Sequence, residues 1–130
     1  MPARILAPTD AALREAADIL RRGGLVGFPT ETVYGLGANA LDAAAVERIF
    51  AAKGRPPSNP VIVHVASVEA ARRLAGRWPD AAERLAAQHW PGPLTLVVER
   101  GDAIPDVVTA GGATVGLRVP SHPVALALLR

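Results

Sequence analysis

The apolar residues of this chain follow two patterns in turn, the helical spacing of three to four positions and short continuous runs. The helical spacing predicts amphipathic helices, each with one buried face, at residues 10–22, 42–53, 67–75 and 80–89. Short runs rich in Val, Leu and Ile predict strands at residues 25–28, 61–65, 94–98 and 115–119. Helices that alternate with short strands indicate an α/β sheet domain.

Side chains at the predicted helix ends support these boundaries. Asp42 and Ser67 can cap the second and third helices, and Asp80 with Glu83 forms an acidic variant of the capping box for the fourth. The last segment, Val124–Arg130, has the pattern of a helix that begins and does not finish. We therefore expect residues 1–130 to form a single domain that is incomplete at its C-terminus.

Composition narrows the class of protein. A chain of 130 residues has room for one core. It has no cysteine, which excludes a disulfide framework, a thiolate metal site and a catalytic cysteine, and its three scattered histidines form no metal motif. With no signal peptide and no apolar run of membrane-spanning length, the sequence indicates a soluble cytoplasmic protein without a membrane partner. A net charge of +2 is too small to indicate nucleic-acid binding.

One loop carries the only lysine among fourteen basic residues, Lys53, in the run Lys-Gly-Arg-Pro-Pro-Ser-Asn-Pro at residues 53–60. An ammonium near the guanidinium of Arg55 offers two different ways to hold an anion, on a loop that its prolines stiffen. The same residues also fit a helix end, with a cation in the last turn, glycine at the cap and proline after it. The pattern by itself is compatible with both interpretations.

A second loop, residues 29–37, follows a buried strand and places hydroxyl groups at Thr30, Thr32 and Tyr34. Its two glycines would let the backbone approach a ligand closely. The spacing of glycine, lysine and hydroxyl groups is wrong for a Walker loop. An ordinary β-hairpin arm with a threonine-rich face fits the pattern equally well.

A third candidate region begins at residues 109–114 and continues into the last strand, where Arg118 alternates with apolar neighbours. The guanidinium should face away from those neighbours, either toward solvent, as is usual for a strand arginine, or into a concave face. His64 is likewise alone in an apolar strand, as a core histidine or as a functional one. His89 and His122 are expected at the surface or in loops.

Four runs in this order resemble the YrdC/TsaC family of threonylcarbamoyl-adenylate synthases, over nearly the whole chain. They are Pro-Thr-Glu-Thr-Val-Tyr-Gly-Leu-Gly at 29–37, Lys-x-Arg-Pro-x-x-x-Pro at 53–60 closely followed by a hydrophobic strand with a histidine, Trp-Pro-Gly-Pro-Leu-Thr turning into a strand at 90–95, and residues 115–123. The resemblance implies a YrdC-like fold, a twisted mixed β-sheet flanked by helices with a concave ligand pocket. It also implies a nucleotidyltransferase that joins L-threonine, bicarbonate and ATP into threonylcarbamoyl-AMP and pyrophosphate, for threonylcarbamoyladenosine modification of tRNA.

The resemblance further implies roles for individual residues. Lys53 and Arg55 are expected to bind ATP and to act as the catalytic residues. Asn59 and Thr114 are expected to bind ATP as well. Those expected to bind L-threonine are Thr32, His64 and Arg118, with Arg118 clamping the carboxylate. The possible pocket walls are Thr30, Tyr34 and Ser58. Magnesium would arrive with the triphosphate and use few protein ligands, so no metal-binding residue is assigned.

Other functions compete with this interpretation. A module of the same fold that binds tRNA or double-stranded RNA without full catalysis is the alternative, and downstream tRNA-modifying proteins are the expected partners of the synthase. A carbamoyl-transferring relative is disfavoured because the chain carries no zinc-finger or acylphosphatase-like segment. The family's domain also continues with a Ser-Ala-Asn type motif that completes both sites. We therefore expect incomplete nucleotide and threonine sites in this chain.

Overall fold

The computed structural model describes residues 4–54 and 60–130. The helices are α1 Asp10–Arg21, α2 Ala43–Lys53, α3 Val68–Leu74, α4 Asp80–His89, α5 Asp106–Thr109 and α6 Pro123–Leu129. The strands are β1 Val26–Pro29, β2 Tyr34–Gly37, β3 Ile62–His64, β4 Leu96–Glu99 and β5 Thr114–Arg118. The helices and strands predicted from the pattern are all present, within two residues at most ends. The pattern missed α5, and it gave β2 only as the hairpin alternative for residues 29–37.

The described strands form two sheets. β1 and β2 pair as an antiparallel hairpin, with Pro29 opposite Tyr34 at its closed end. The second sheet has the strand order β3-β5-β4, in which β3 is parallel to β5 and β4 is antiparallel to it. This mixed sheet flanked by helices is the predicted α/β architecture.

The core lies on one face of the three-stranded sheet. The register places Val63 and Leu96 on either side of Leu117, and all three side chains are buried. Val46 and Phe50 of α2 belong to the same cluster. Because successive side chains of a strand point to opposite faces, the intervening residues of these strands are directed away from the core. The helices therefore cover one face of this sheet, and the β1–β2 hairpin lies on the side of the other face.

Two predicted helix caps are confirmed, and so is the helix end at the lysine loop. The carboxylate of Asp42 accepts a hydrogen bond from the backbone N–H of Ala45, and the hydroxyl of Ser67 accepts one from Ala70. Gly54 caps the C-terminus of α2 with a left-handed backbone at φ 65°. The helix-end interpretation of the lysine loop is therefore correct, and it remains compatible with anion binding.

The predicted capping box of α4 is wrong. Pro79 occupies the N-cap position of this helix, and no side chain caps it. The carboxylate of Glu83 instead binds the guanidinium of Arg72 in α3 and accepts a hydrogen bond from the Trp78 indole at 2.7 Å. These two contacts join α4 to α3 and its following loop, so tertiary partners outcompeted the local backbone for this carboxylate.

The ends of the described chain lie side by side, since α1 packs against α6 and β1. No residue of α1 is fully buried, whereas Ala125 and Leu128 of α6 are. His122, expected in a loop, accepts a hydrogen bond from Val124 N and caps α6. Among residues 4–54 and 60–130, no helix has the length and apolar character needed to cross a membrane.

The cap at α2 should contribute measurably to stability. We expect Asp42→Ala to lower the free energy of unfolding by about 1 kcal/mol, because the N–H of Ala45 loses its acceptor. Asp42→Asn is the matched control, since its amide oxygen can still accept that bond. Urea unfolding followed by circular dichroism measures both variants. Equal losses for alanine and asparagine would contradict the capping role.

Candidate ligand-binding site

Three residues predicted to bind ligands lie on the face of the three-stranded sheet opposite the core, here called the open face. Thr114, Gly116 and Arg118 alternate along β5 toward this face, and the register places His64 of β3 opposite Arg118. Four residues of extended strand span about 13 Å, so Thr114 and Arg118 mark two separate ends of the face. The sheet thus brings His64 and Arg118 together and holds Thr114 apart from them.

Gly116 lies between these two ends. A Cβ at this position would stand 3.1 Å from Cγ2 of Thr95 and 3.7 Å from Cγ1 of Ile62. Glycine therefore avoids crowding with these two side chains in the middle of the open face. A ligand that spans the face would pass over this residue.

The guanidinium of Arg118 is buried and occupied. The residue is 7% exposed, so of the two alternatives left open by the sequence the solvent-facing arginine is wrong. Its Nε donates a hydrogen bond to the carbonyl oxygen of Gly92 at 2.9 Å, and its Nη2 donates to Oε1 of Glu31. Glu31 lies at the tip of the β1–β2 hairpin. The ion pair therefore fastens the hairpin tip onto the open face.

Glu31 also binds the loop that follows β5. Its Oε2 accepts hydrogen bonds from the backbone N–H of Ser121 at 2.7 Å and from the Ser121 hydroxyl. Partial burial raises the pKa of the Glu31 carboxyl, but the Ser121 hydrogen bonds and the charge of Arg118 outweigh that effect and lower the pKa to about 2. Glu31 is therefore ionised at any ordinary pH.

His64 presents a neutral imidazole beside this pair. Its Nδ1 lies 3.2 Å from the carbonyl oxygen of Ile62, which can only accept, so Nδ1 carries the proton and Nε2 has a free lone pair. Burial lowers the pKa of His64, and the nearby charge of Arg118 lowers it further, against the opposing effects of Ile62 and Glu31. The ring of Phe28 contacts the imidazole edge-on at 6.5 Å between centroids. The half-buried imidazole is thus held in one orientation.

The hydroxyl residues of the hairpin tip have different environments. Thr30 Oγ1 donates to Val33 O at 2.6 Å and accepts from Val33 N at 3.2 Å, so this side chain closes the turn around Glu31. Thr32 is exposed, with its Oγ1 3.0 Å from that of Thr30. Tyr34 is 83% exposed. Thr32 and Tyr34 are available to a ligand, whereas Thr30 supports the turn.

The predicted nucleotide-binding residues are only partly described. Lys53 is exposed at the C-terminus of α2, and Thr114 is exposed at the start of β5. β3 follows Lys53 in the chain and runs parallel to β5, so Ile62 at the start of β3 lies toward the same end of the sheet as Thr114. Arg55, Ser58 and Asn59 lie outside the described residues. Whether these groups share one pocket with Arg118 stays a prediction.

Two cavities elsewhere in the described structure do not include these residues. One of about 520 Å³ lies between α1 and α6, and one of about 210 Å³ lies beside Ser67, Trp90 and Leu126. Within residues 4–54 and 60–130, no group of three or more His, Cys, Asp or Glu side chains is arranged to hold a metal ion. The open face is therefore chosen as the candidate site because of the side chains that it presents, and not because it contains a large cavity.

Glu31 is the residue that the sequence analysis missed. The run Thr30-Glu31-Thr32 drew attention to its hydroxyl groups, and the acidic residue between them received no role. One signal could have identified it, because an arginine in an apolar strand needs a carboxylate or several carbonyl oxygens if it is buried. The sequence offers no way to choose which of twelve acidic residues serves.

The low pKa of Glu31 predicts an acid-dependent loss of stability. Because the folded-state pKa of about 2 lies below the ordinary 4.5, the stabilisation by ionised Glu31 is complete above 4.5 and is lost as pH falls from 4.5 toward 2. Glu31→Gln should therefore lower the free energy of unfolding most at neutral pH, with a shrinking difference from the unchanged protein in acid. Glu47→Gln, an exposed α2 residue, is the control for urea unfolding at each pH. A difference that does not vary with pH would exclude this linkage.

Comparison with known proteins connects this geometry to a family. The sequence model of the Sua5–YciO–YrdC family, described as "Telomere recombination", matches residues 18–130. The threonylcarbamoyl-AMP synthase of Pyrococcus abyssi is 56% identical over 117 residues, which are 90% of this chain and 34% of that protein. The synthase of Bacillus subtilis is 49% identical over 126 residues, 96% of this chain and 36% of that protein.

Solved structures agree with the sequence comparison. The crystal structure of P. abyssi Sua5 complexed with L-threonine matches with a TM-score of 0.90 and 54% identity, over 97% of this chain and 36% of that chain. The chain thus spans about a third of the length of these relatives. With the family model matched over residues 18–130 and the fold shared at this level, the chain belongs to the Sua5–YciO–YrdC family.

Proposed function

We propose that this chain carries out the chemistry of a threonylcarbamoyl-AMP synthase, forming threonylcarbamoyl-AMP and pyrophosphate from L-threonine, bicarbonate and ATP. The observation that carries the proposal is its 54% identity and TM-score of 0.90 to a Sua5 protein solved with L-threonine. The alternative of an RNA-binding module without catalysis is not favoured, because the similar curated proteins are named as synthases.

The Arg118 end of the open face suits an amino acid. Arg118 has five N–H donors and uses two of them within the protein, so three remain for a carboxylate. The neutral imidazole of His64 does not repel an amino group and offers it a lone pair at Nε2. Thr32 is exposed at the hairpin tip, and its hydroxyl can form a hydrogen bond with a polar group of the same ligand. We therefore assign L-threonine to this end.

The Thr114 end suits the nucleotide. Lys53, together with Arg55 and Asn59 of the adjoining segment, would bind the triphosphate, and Thr114 would add a hydrogen bond from β5. Magnesium on the triphosphate would need few ligands from this chain. The roughly 13 Å between Thr114 and Arg118 leaves the middle of the open face, over Gly116, for the reacting groups. Tyr34 and Ser58 are assigned to the walls.

The reaction needs alignment more than covalent assistance. The threonine amine attacks bicarbonate carbon and water leaves, and a carboxylate oxygen of the resulting carbamate then attacks the α-phosphorus of ATP while pyrophosphate departs. Both reactants of the second step are anions, so the cations at Lys53 and Arg55 would reduce their repulsion and stabilise the developing charge. The product would pass to tRNA-modifying proteins, so we expect this activity in the cytoplasm.

The first test is pyrophosphate release from ATP by the purified chain, which should require both L-threonine and bicarbonate. Serine and 2-aminobutyrate in place of threonine are controls for the methyl and hydroxyl groups. If the 130-residue chain alone releases no pyrophosphate, the assay is repeated on a chimera. In this chimera the chain replaces the matching third of the P. abyssi synthase. A chimera that folds with no threonine-dependent release would refute the proposed function.

Variants at the two ends should separate the two substrates. Lys53→Ala should raise the KM for ATP about tenfold or more with little effect on the KM for threonine, because the lysine binds only phosphate. Arg118→Lys should do the reverse, since it keeps the charge and loses the planar fork. We avoid Arg118→Ala, which would remove the partly buried ion pair with Glu31 and leave a cavity at a buried side chain, and so would destabilise the fold.

Arg84→Ala removes an exposed arginine on α4 and is the control for both variants. Steady-state pyrophosphate release with each substrate varied in turn gives the KM values. If Lys53→Ala and Arg118→Lys raise the same KM, the division of the open face into two ends is incorrect.

A further inference from the structure

Arg118 is fastened along one edge of its guanidinium. An arginine can grip a carboxylate with two parallel hydrogen bonds, either through Nε and Nη2 or through the two terminal Nη nitrogens. The single proton of Nε is already donated to Gly92 O at 2.9 Å, and Nη2 donates to Glu31. The edge formed by Nε and Nη2 is therefore closed to a ligand carboxylate, and the donors left for it are the two protons of Nη1 and one proton of Nη2.

Glu31 is itself fixed on both oxygens. Oε2 accepts from the backbone N–H and from the hydroxyl of Ser121, which uses both of its lone pairs, and Oε1 accepts from Arg118. The backbone on either side is closed by the hydrogen bonds of Thr30 with Val33. The Glu31 side chain is 22% exposed and the Arg118 side chain 9%. The carboxylate is thus a rigid support and not a mobile counter-ion.

We propose that Glu31 is a positioning residue that orients Arg118 so that the ligand carboxylate binds end-on, through Nη1 and Nη2. The proposal rests on the proposed function, in which that ligand is L-threonine. His64 lies directly opposite Arg118 in the neighbouring strand, about 4.8 Å away across the sheet. A carboxylate held end-on in a fixed plane gives the adjoining amino group one defined approach to His64 Nε2.

Charge and positioning make opposite predictions for Glu31→Gln. Glu31 neutralises Arg118, so if only charge mattered, its removal would leave a net cation and strengthen binding of a carboxylate. If Glu31 positions Arg118, glutamine weakens that binding, because its single amide oxygen cannot accept from both Arg118 and the Ser121 N–H, and the guanidinium loses its fixed support. The sign of the change therefore distinguishes the two roles.

The test measures threonine-dependent pyrophosphate release by the protein and three variants. Glu31→Gln should raise the KM for threonine about tenfold, equivalent to about 1.4 kcal/mol, and leave the KM for ATP unchanged. Glu31→Asp should raise it as well, because a side chain shorter by one methylene cannot reach both Arg118 and Ser121. Val33→Ala, the neighbouring exposed residue of the hairpin tip, should change neither value.

Three outcomes would overturn the proposal. A lower or unchanged KM for threonine in Glu31→Gln would assign Glu31 to charge or to no role at this site. A KM for ATP that rises equally would indicate general loosening of the open face. A normal KM in Glu31→Asp would show that a carboxylate anywhere nearby suffices.

A second measurement does not depend on activity. In ¹⁵N-arginine-labelled protein, the Nε–H of Arg118, identified by its absence in Arg118→Lys, should exchange slowly with solvent, because it is buried and bonded to Gly92 O. Glu31→Gln should speed this exchange at least tenfold. If Glu31→Gln speeds the exchange but the unchanged protein shows no threonine-dependent activity, the proposed function is refuted and the positioning of Arg118 by Glu31 still holds. Unchanged exchange would refute the positioning role whatever the activity.

Discussion

A buried guanidinium that must be neutralised organises the candidate site of this protein. Arg118 lies in the central strand of the three-stranded sheet and is 7% exposed, where an unpaired charge would cost several kcal/mol. The partner is Glu31 at the tip of the hairpin, and Glu31 in turn binds Ser121. One ion pair thus joins the hairpin, the central strand and the loop before α6. The shape of the open face depends on this junction.

The two faces of β5 show how one strand serves both folding and binding. Val115 and Leu117 face the helices and are buried in the core. The alternating residues Thr114, Gly116 and Arg118 face the other way, where a hydroxyl, a bare backbone and a guanidinium follow one another. Because the core side holds the strand in register, the spacing of these groups is set by backbone geometry. A site on such a strand is rigid without a ligand, which lowers the ordering cost of binding.

Local features of the chain predicted local structure well. Asp42 and Ser67 cap their helices, and Gly54 ends α2, because each of these roles depends on atoms within four residues. Glu83 shows where such reasoning fails. Its spacing from Asp80 fits a capping box, but Arg72 and Trp78 lie within reach in the folded chain and bind it instead. Helix α5, of four residues, is too short for any periodicity to reveal.

The candidate site also contains residues that the sequence predicted and one that only the tertiary structure revealed. The resemblance implied ligand-binding roles for His64, Thr114 and Arg118, and the register of β3 with β5 and the alternation along β5 place all three on the open face. Lys53 lies at the helix end that its neighbours predicted, while Arg55, Ser58 and Asn59 are outside the described residues. The tertiary structure added Glu31, which no spacing rule singles out because its partner is 87 positions away in the chain.

The sequence by itself determined most of the helices and strands, the caps of α2 and α3, the family and the residue types available for chemistry, because periodicity, capping and motifs act over short distances along the chain. Only the tertiary structure decided that Arg118 is buried, that Glu31 neutralises it, and which edge of the guanidinium is open. These depend on strand register and on how the hairpin closes over the sheet. Both arise from packing between segments that are remote in sequence.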